Sequence, residues 1–236
     1  GERWSILFPN ATGGSNGYFK MNAPEAVKGV KRDIKPIVEM MDPYWGGQSS
    51  SGGAFYFGWA TFILSIFALF FVKDVLLWPV LLVSILSLGL SVNEMTPLND
   101  FFIHHFPMYK KFRDSKMILM LLPIVWAALA GLMLEFWFSG QWVWESAKKK
   151  WMMISGAVAL LVIIFMAQPE LVGNFEGENL AEKITQRLVQ FEVIKNPQQL
   201  SPQDTGLIDQ VVSEVIDARK VMFKADAQRA LMIVVL

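Results

Sequence analysis

Lys110, Lys111, Arg113 and Lys116 form the densest group of cations that is interleaved with aromatic rings. They close the stretch Asn99-Asp-Phe-Phe-Ile-His-His-Phe-Pro-Met-Tyr-Lys-Lys-Phe-Arg-Asp-Ser-Lys116. Aromatic rings suit the lipid headgroup layer, and clustered cations offer charge to phosphate. A lipid-phosphate or substrate site is therefore expected here. Arg113 is the strongest single candidate, because a planar guanidinium holds two phosphate oxygens at once. The competing reading is anchoring alone, in which basic side chains at span ends snorkel to headgroups without recognising any one of them.

The other chemistry-bearing residues have simpler readings. His104 and His105 are the only imidazoles, and adjacent positions on a helix diverge by about 100°. With no carboxylate expected at ligand spacing, they read as interfacial polar residues and no metal site is expected. Asp100 could orient an acceptor hydroxyl, but Thr96-Pro97 ahead of Asn99 and Asp100 is an ordinary helix start, and that reading is preferred. Glu135 falls near a span end, where an acid reaches water at little cost. Trp137, Trp142, Trp144 and Trp151 read as an aromatic belt. The chain has no cysteine, which excludes disulfides and thiolate chemistry, and no cofactor is implied. No catalytic residue stands out.

Composition assigns these residues to a membrane protein. Mean hydropathy is +0.38, hydrophobic residues make up 53% and charged residues 18%, with the apolar residues gathered in blocks. The 21 basic and 21 acidic residues cancel, so nothing points to a nucleic-acid partner. A helix needs about 20 mostly apolar residues to cross the hydrocarbon core. Four runs qualify: Ala54 to Val72, Val75 to Val92, Met117 to Phe138 and Trp151 to Gln168. The fold expected is an all-α polytopic membrane protein of four transmembrane helices, with helical extracytoplasmic loops. A fifth span starts at Ala230 and the chain stops at Leu236. That short run, with the start at Gly1, predicts a piece of a longer polypeptide.

Four regions follow: an extracytoplasmic region at 1–53, a transmembrane region at 54–168 with an interfacial segment at 96–116, a helical extracytoplasmic region at 169–229, and the start of the fifth span at 230–236. Lys73 in the first hairpin and Lys148-Lys149-Lys150 in the connection between spans three and four lie on one side, which should be cytoplasmic. In the outward regions, Ala23 to Met41 reads as a short helix kinked or ended by Pro36. Leu180, Ile184, Leu188 and Phe191 keep helical spacing after Asn179, a plausible N-cap. Ser201-Pro202 with Asp204 reads as a second cap, opening a helix striped by Leu207, Ile208, Val211, Val212, Val215, Ile216 and Met222 that runs into the fifth span.

Four stretches carry a resemblance. They are Leu7-Phe-Pro-Asn-Ala-Thr-Gly-Gly-Ser-Asn-Gly-Tyr18, Tyr44-Trp-Gly-Gly-Gln48, Pro97-Leu-Asn-Asp-Phe-Phe-Ile-His-His-Phe-Pro-Met-Tyr-Lys-Lys-Phe-Arg113 and Asp217-Ala-Arg-Lys-Val-Met-Phe-Lys-Ala-Asp-Ala-Gln-Arg229. In their order and spacing the chain resembles the YfhO family of bacterial membrane proteins, in the form common among Bacteroidetes. The resemblance implies a multi-pass protein of the cytoplasmic (inner) membrane, related to C-type membrane glycosyltransferases. Such enzymes move a sugar from a polyprenyl-phosphate donor to a cell-envelope acceptor, with a catalytic carboxylate in a first outward loop that this chain lacks. Where relatives often continue with Ala-Pro-Ser after the arginine, this chain has Asp114-Ser115-Lys116. The partners implied are membrane lipids, a polyprenyl-phosphate sugar, and the remainder of the same polypeptide or other membrane subunits. The alternative is a noncatalytic integral membrane subunit of an envelope complex; a transporter is weaker, since no span carries a central charge.

Overall fold

A computed structural model of the protein describes residues 2–47, 56–91, 96–107, 109–111, 115–140, 143–195 and 200–235. Every regular element among them is helical. The α-helices are α1 (Phe19–Asn22), α2 (Lys35–Glu39), α3 (Trp59–Phe71), α4 (Leu77–Leu90), α5 (Pro97–His105), α6 (Leu121–Phe138), α7 (Trp144–Ala167), α8 (Leu180–Gln190) and α9 (Pro202–Val235). They belong to two compact units: Gly1–Tyr56 with Leu160–Met232, and Phe57–Ala159 with Ile233–Leu236. The two outward regions expected from the sequence as separate stretches thus fold together as the first unit.

In the second unit, α6 packs against both α3 and α4. Leu129 and Met133 of α6 meet Ile63, Phe67 and Ala68 of α3 in a buried cluster. Polar side chains sit inside this packing. Ser65 Oγ lies 2.7 Å from the Trp126 carbonyl, and Trp126 Nε1 donates to Ser84 Oγ at 3.0 Å. The inner face of α4 carries Ser84 and Ser87, with Ser91 just past its end, all buried, while Trp78, Leu82 and Ile85 are exposed. That is the reverse of a helix that meets water, where burying apolar surface is the main driving force.

Among the described residues two helices, Ile118–Phe138 and Trp144–Ala167, are long and apolar enough to cross a membrane. The first two runs form shorter helices, α3 of 13 residues and α4 of 14. Gly58, at φ +96°, holds a backbone angle that delays α3 to Trp59. Asp74 Oδ1 accepts the Leu76 N–H at 2.7 Å and makes the turn before α4. The third run opens as a 3-10 turn, Ser115–Met120. The fourth starts one and a half to two turns earlier than expected, so Lys148, Lys149 and Lys150 lie on α7 itself and not in a loop. Lys150 donates to the Phe70 carbonyl and stands 5.0 Å from the Phe71 ring. A cation thereby meets the unsatisfied carbonyl end of α3.

In the first unit, Leu180, Ile184 and Leu188 of α8 and Ile208, Val211 and Val215 of α9 close a core with Phe19, Ile34 and Val38. The stripe read from the sequence is this inner face, except that Phe191 lies beyond α8 and stays 36% exposed. Ala23 to Met41 is not one helix: Pro24 and Pro36 each sit in a first turn, one of a 3-10 turn (Pro24–Val27) and one of α2. Proline starts these turns because its missing N–H is unneeded there. Asn179 precedes α8 in a left-handed conformation, φ 54°, without a side-chain cap. Ser201 and Asp204 do form the expected reciprocal cap: Ser201 Oγ accepts the Asp204 N–H at 3.1 Å, and Asp204 Oδ2 accepts the Ser201 N–H at 2.9 Å. The helix it opens, α9, runs without a break to Val235.

Candidate functional site

Thr96 Oγ1 accepts the Asn99 N–H at 3.3 Å and starts α5, so the Thr96-Pro97 cap preferred from the sequence is present. The chain then folds back through a 3-10 turn, Tyr109–Lys111, and the Tyr109 hydroxyl donates to Asn99 Oδ1 at 3.0 Å. This bond ties the turn to the buried amide of Asn99. Aromatic contacts line the segment: Phe102 lies 5.2 Å from Phe106 and 5.7 Å from Tyr109, and Phe101 stacks on His105 at 4.8 Å. Phe101 and Phe106 nevertheless remain 54% and 56% exposed. The result is a ringed, amphipathic surface element.

Of the four candidate cations, Lys110 and Lys111 lie in the Tyr109–Lys111 turn and Lys116 in the Ser115–Met120 turn. Lys111 is exposed, and Arg113 lies outside the described residues. One expectation about the histidines needs correcting. Asp100 stands one helical turn before His104, with Oδ1 3.2 Å from Nδ1, so a carboxylate does occupy the i−4 position. Each histidine Nδ1 also meets the carbonyl four residues back. Among the described residues no group of three metal-ligating side chains converges.

Sequence reasoning missed the charged centre of the first unit. Arg219, 3% exposed, is held entirely by backbone carbonyls. Its Nε donates to Pro43 at 3.0 Å, Nη1 to Phe175 at 2.8 Å and Glu176 at 2.9 Å, and Nη2 to Asp42 at 2.9 Å and Tyr44 at 3.4 Å. All five guanidinium N–H groups are used. Burial lowers its pKa to about 10, opposed by the Asp42 carboxylate, and leaves it cationic at neutral pH. Burial pushes the Asp42 carboxyl up, against the Tyr44 N–H and the charge of Arg219. One turn pair further along α9, Asp226 accepts from Asn10, and burial likewise raises its carboxyl.

These contacts join three of the four resemblance stretches. The Trp45 N–H donates to the Thr12 carbonyl at 2.9 Å, and a Cβ on Gly13, φ +87°, would fall on the Pro43 carbonyl. Gly177, φ +75°, similarly lets the chain pass beneath Trp45. Beside this centre, residues 41–46 and α8 enclose a cleft of about 320 Å³ lined by Asp42, Tyr44, Lys183, Gln186, Arg187 and Gln190. The sequence did hold a signal: Arg219 and Asp226 fall on the buried stripe of α9 marked by Val211, Val215 and Met222, where an apolar residue would be ordinary.

Comparison with models of known protein families, with curated proteins and with solved structures finds no match to the chain.

Proposed function

We propose that this chain is part of a multi-pass protein of the bacterial cytoplasmic membrane, related to C-type glycosyltransferases, in which the segment from α5 to Lys116 receives the phosphate of a polyprenyl-phosphate sugar for transfer to an envelope acceptor. The observation that carries the reading is that Phe101, Phe106 and Lys111, within eleven residues of one another in the chain, are all exposed. Exposed rings and an exposed cation on one short segment suit a headgroup layer. The C-type chemistry itself rests on the resemblance to the YfhO family.

The reading takes α3, α4, α6 and α7 as four crossings; α6 with its opening turn and α7 have the length for one, and α3 and α4 are shorter, at 13 and 14 residues. The Lys150 contact with Phe70 sets the α3–α4 tip beside the start of α7. Lys73 and Asp74 at that tip would be costly in hydrocarbon, which favours a hairpin that crosses fully. The spanning windows of α6 and α7 are 28% and 6% buried, unlike a soluble core helix.

The test is sugar transfer from a labelled polyprenyl-phosphate sugar by the native full-length polypeptide in liposomes. Arg113→Lys keeps charge but loses the two-pronged donor, whereas Lys110→Gln removes one charge from a redundant set. Arg113→Lys should slow transfer by about 1 to 3 kcal/mol of barrier, the worth of a charged hydrogen-bond arrangement, and Lys110→Gln by less. An active Arg113→Lys with an impaired Lys110→Gln would reduce the cluster to a membrane anchor. The second reading, a noncatalytic envelope subunit, is favoured by Arg219 and Asp226: the buried charges of the resemblance stretches are engaged in holding the fold. Absence of transfer by the wild-type polypeptide would select it.

A further inference from the structure

We infer that the cleft between α8 and residues 41–46 binds a saccharide bearing an anionic group, a phosphate or a carboxylate. The inference stands on the first unit alone and requires no sugar transfer. The cleft's volume, about 320 Å³, is at the lower end of small-ligand sites, the scale of one sugar unit with a charged substituent. Its cations come from one helix face: Lys183 and Arg187 are one turn apart on α8 and both line the cleft. Arg219 lies at its floor with every donor engaged, so it contributes charge without a free N–H. Asp42 offsets that charge and is itself the acceptor of the Tyr44 N–H at 2.8 Å. Three cations, Arg219, Lys183 and Arg187, thus face two carboxylates: Asp42, which the charges of both Arg219 and Lys183 stabilise, and Glu182, whose Oε1 accepts from Gln186 at 3.4 Å, which leaves one positive charge for an anion to neutralise.

Arg187 is also held in place. Its guanidinium carbon lies 5.3 Å from the Tyr18 ring centroid, and its Nη1 reaches the Tyr18 hydroxyl at 3.5 Å. A guanidinium stacked on a ring keeps its remaining donors directed, with less rotamer freedom to lose on binding. Gln186 and Gln190 are on the same face of α8: Gln186 Nε2 donates to Glu182 at 3.4 Å and leaves its amide oxygen as an acceptor, while the Gln190 amide can both donate and accept. With the Asp42 carboxylate as a further acceptor, the wall matches hydroxyls as well as an anion. An anion alone would leave the Gln190 amide unused, and a neutral sugar would leave the remaining positive charge uncompensated.

The experiment is calorimetric titration of the chain in zwitterionic nanodiscs with glucose 1-phosphate, glucuronate, glucose and inorganic phosphate. At least one anionic sugar should bind about tenfold more tightly than both glucose and inorganic phosphate, the effect of one charged hydrogen bond. Preference for glucose 1-phosphate assigns the ligand to sugar phosphates, and preference for glucuronate to acidic glycans. Lys183→Gln and Arg187→Lys should each weaken the preferred probe several-fold, while Lys28→Gln, at the exposed Lys28–Glu25 pair, should not. Thermal unfolding of each variant confirms that the fold is kept, as expected for the exposed Lys183. Glucose binding as tightly as the charged sugars overturns the anionic requirement, and phosphate matching glucose 1-phosphate overturns the saccharide. Binding unchanged in both α8 variants, or no binding of any probe, overturns the site; neither result bears on transfer.

Discussion

Asn10 and Asp226, 216 positions apart, meet through two hydrogen bonds: the Asn10 backbone N–H donates to Asp226 Oδ2 at 2.7 Å and Asn10 Nδ2 donates to Oδ1 at 3.0 Å. Arg229 adds a third donor at 3.2 Å. A buried carboxylate with this many donors is satisfied but still desolvated, and desolvation has the larger effect, raising its pKa above 3.8. The pair closes the first unit by joining the first turns of the chain to the middle of α9.

The raised Asp226 carboxyl predicts a sign for pH dependence. The native state holds the proton more tightly than the unfolded chain, so this group's contribution to stability falls as pH rises from 3.8 through the folded value and is flat above it. Asp42 has the same sign, whereas Glu170 and Asp204, both lowered by hydrogen bonds, have the opposite one. The comparison of wild type with Asp226→Asn removes the other groups. The variant should be less stable at pH 7, since its NH₂ faces an Asn10 donor, and its deficit should be larger near pH 4. Urea unfolding in mild detergent measures this, and parallel profiles would reject the assignment.

Arg219→Lys predicts a local failure. Lysine has three donors for the five carbonyls that Arg219 holds, so at least two are left buried and unpaired. At about 1 to 3 kcal/mol for each orphaned group, the loss should be roughly 3 kcal/mol. Hydrogen exchange should rise at residues 42–46 and 173–177 before it rises in α8. Phe175 is the sensitive point, because its φ of 58° is unusual for a ring residue and its carbonyl is one that Arg219 holds. Wild-type exchange in those loops would show that packing alone fixes them.

The length of continuous apolar runs located α6 and α7, and apolar spacing located α8 and α9, because a helix face turned to a core is written in residue type at a fixed period. Ser201 and Asp204 announced their cap for a similar reason: the interaction is local. What the spacing did not reveal was the role of Arg219, whose partners are carbonyls of residues 42–44 and 175–176. Every residue supplies a carbonyl, so such a site has no side-chain motif at its receiving end. The cleft beside it was hidden likewise, since Lys183 and Arg187 read as the solvated face of an amphipathic helix. Lys148 to Lys150 were placed in a loop because charge ended the apolar run, although a helix can begin in water and continue into an apolar stretch.

The proposed four-crossing arrangement predicts opposite accessibility for two serines. Ser146 lies at the start of α7 and Ser201 just before α9. With no native cysteine, Ser146→Cys should be shielded from an impermeant thiol reagent in intact cells and Ser201→Cys should be labelled. Labelling of both would place them on one side and contradict the crossing of α7. Labelling of Ser146→Cys alone would invert the orientation and move the α5 segment to the cytoplasm, away from an outward donor.

Ser84→Ala tests whether the polar contacts in the second unit act as interhelical glue. Ser84 Oγ donates to the Val80 carbonyl at 2.8 Å and accepts from Trp126 Nε1 at 3.0 Å, which links α4 to α6. The carbonyl of Trp126 lies 2.7 Å from Ser65 Oγ, so the same residue also links α6 to α3. Removing the hydroxyl leaves the indole N–H without that acceptor. In a membrane bundle such a bond is worth about 0.6 to 1.7 kcal/mol, because the unfolded segments also find partners in lipid. Trp151→Ala should cost more, about 3 kcal/mol, as Trp151 stacks on Phe67 with centroids 3.6 Å apart and carries a large contact area. Unfolding in mixed micelles should therefore rank Trp151→Ala below Ser84→Ala and both below wild type. A Ser84→Ala protein as stable as wild type would show that the indole finds another acceptor and that α4 is held by packing alone.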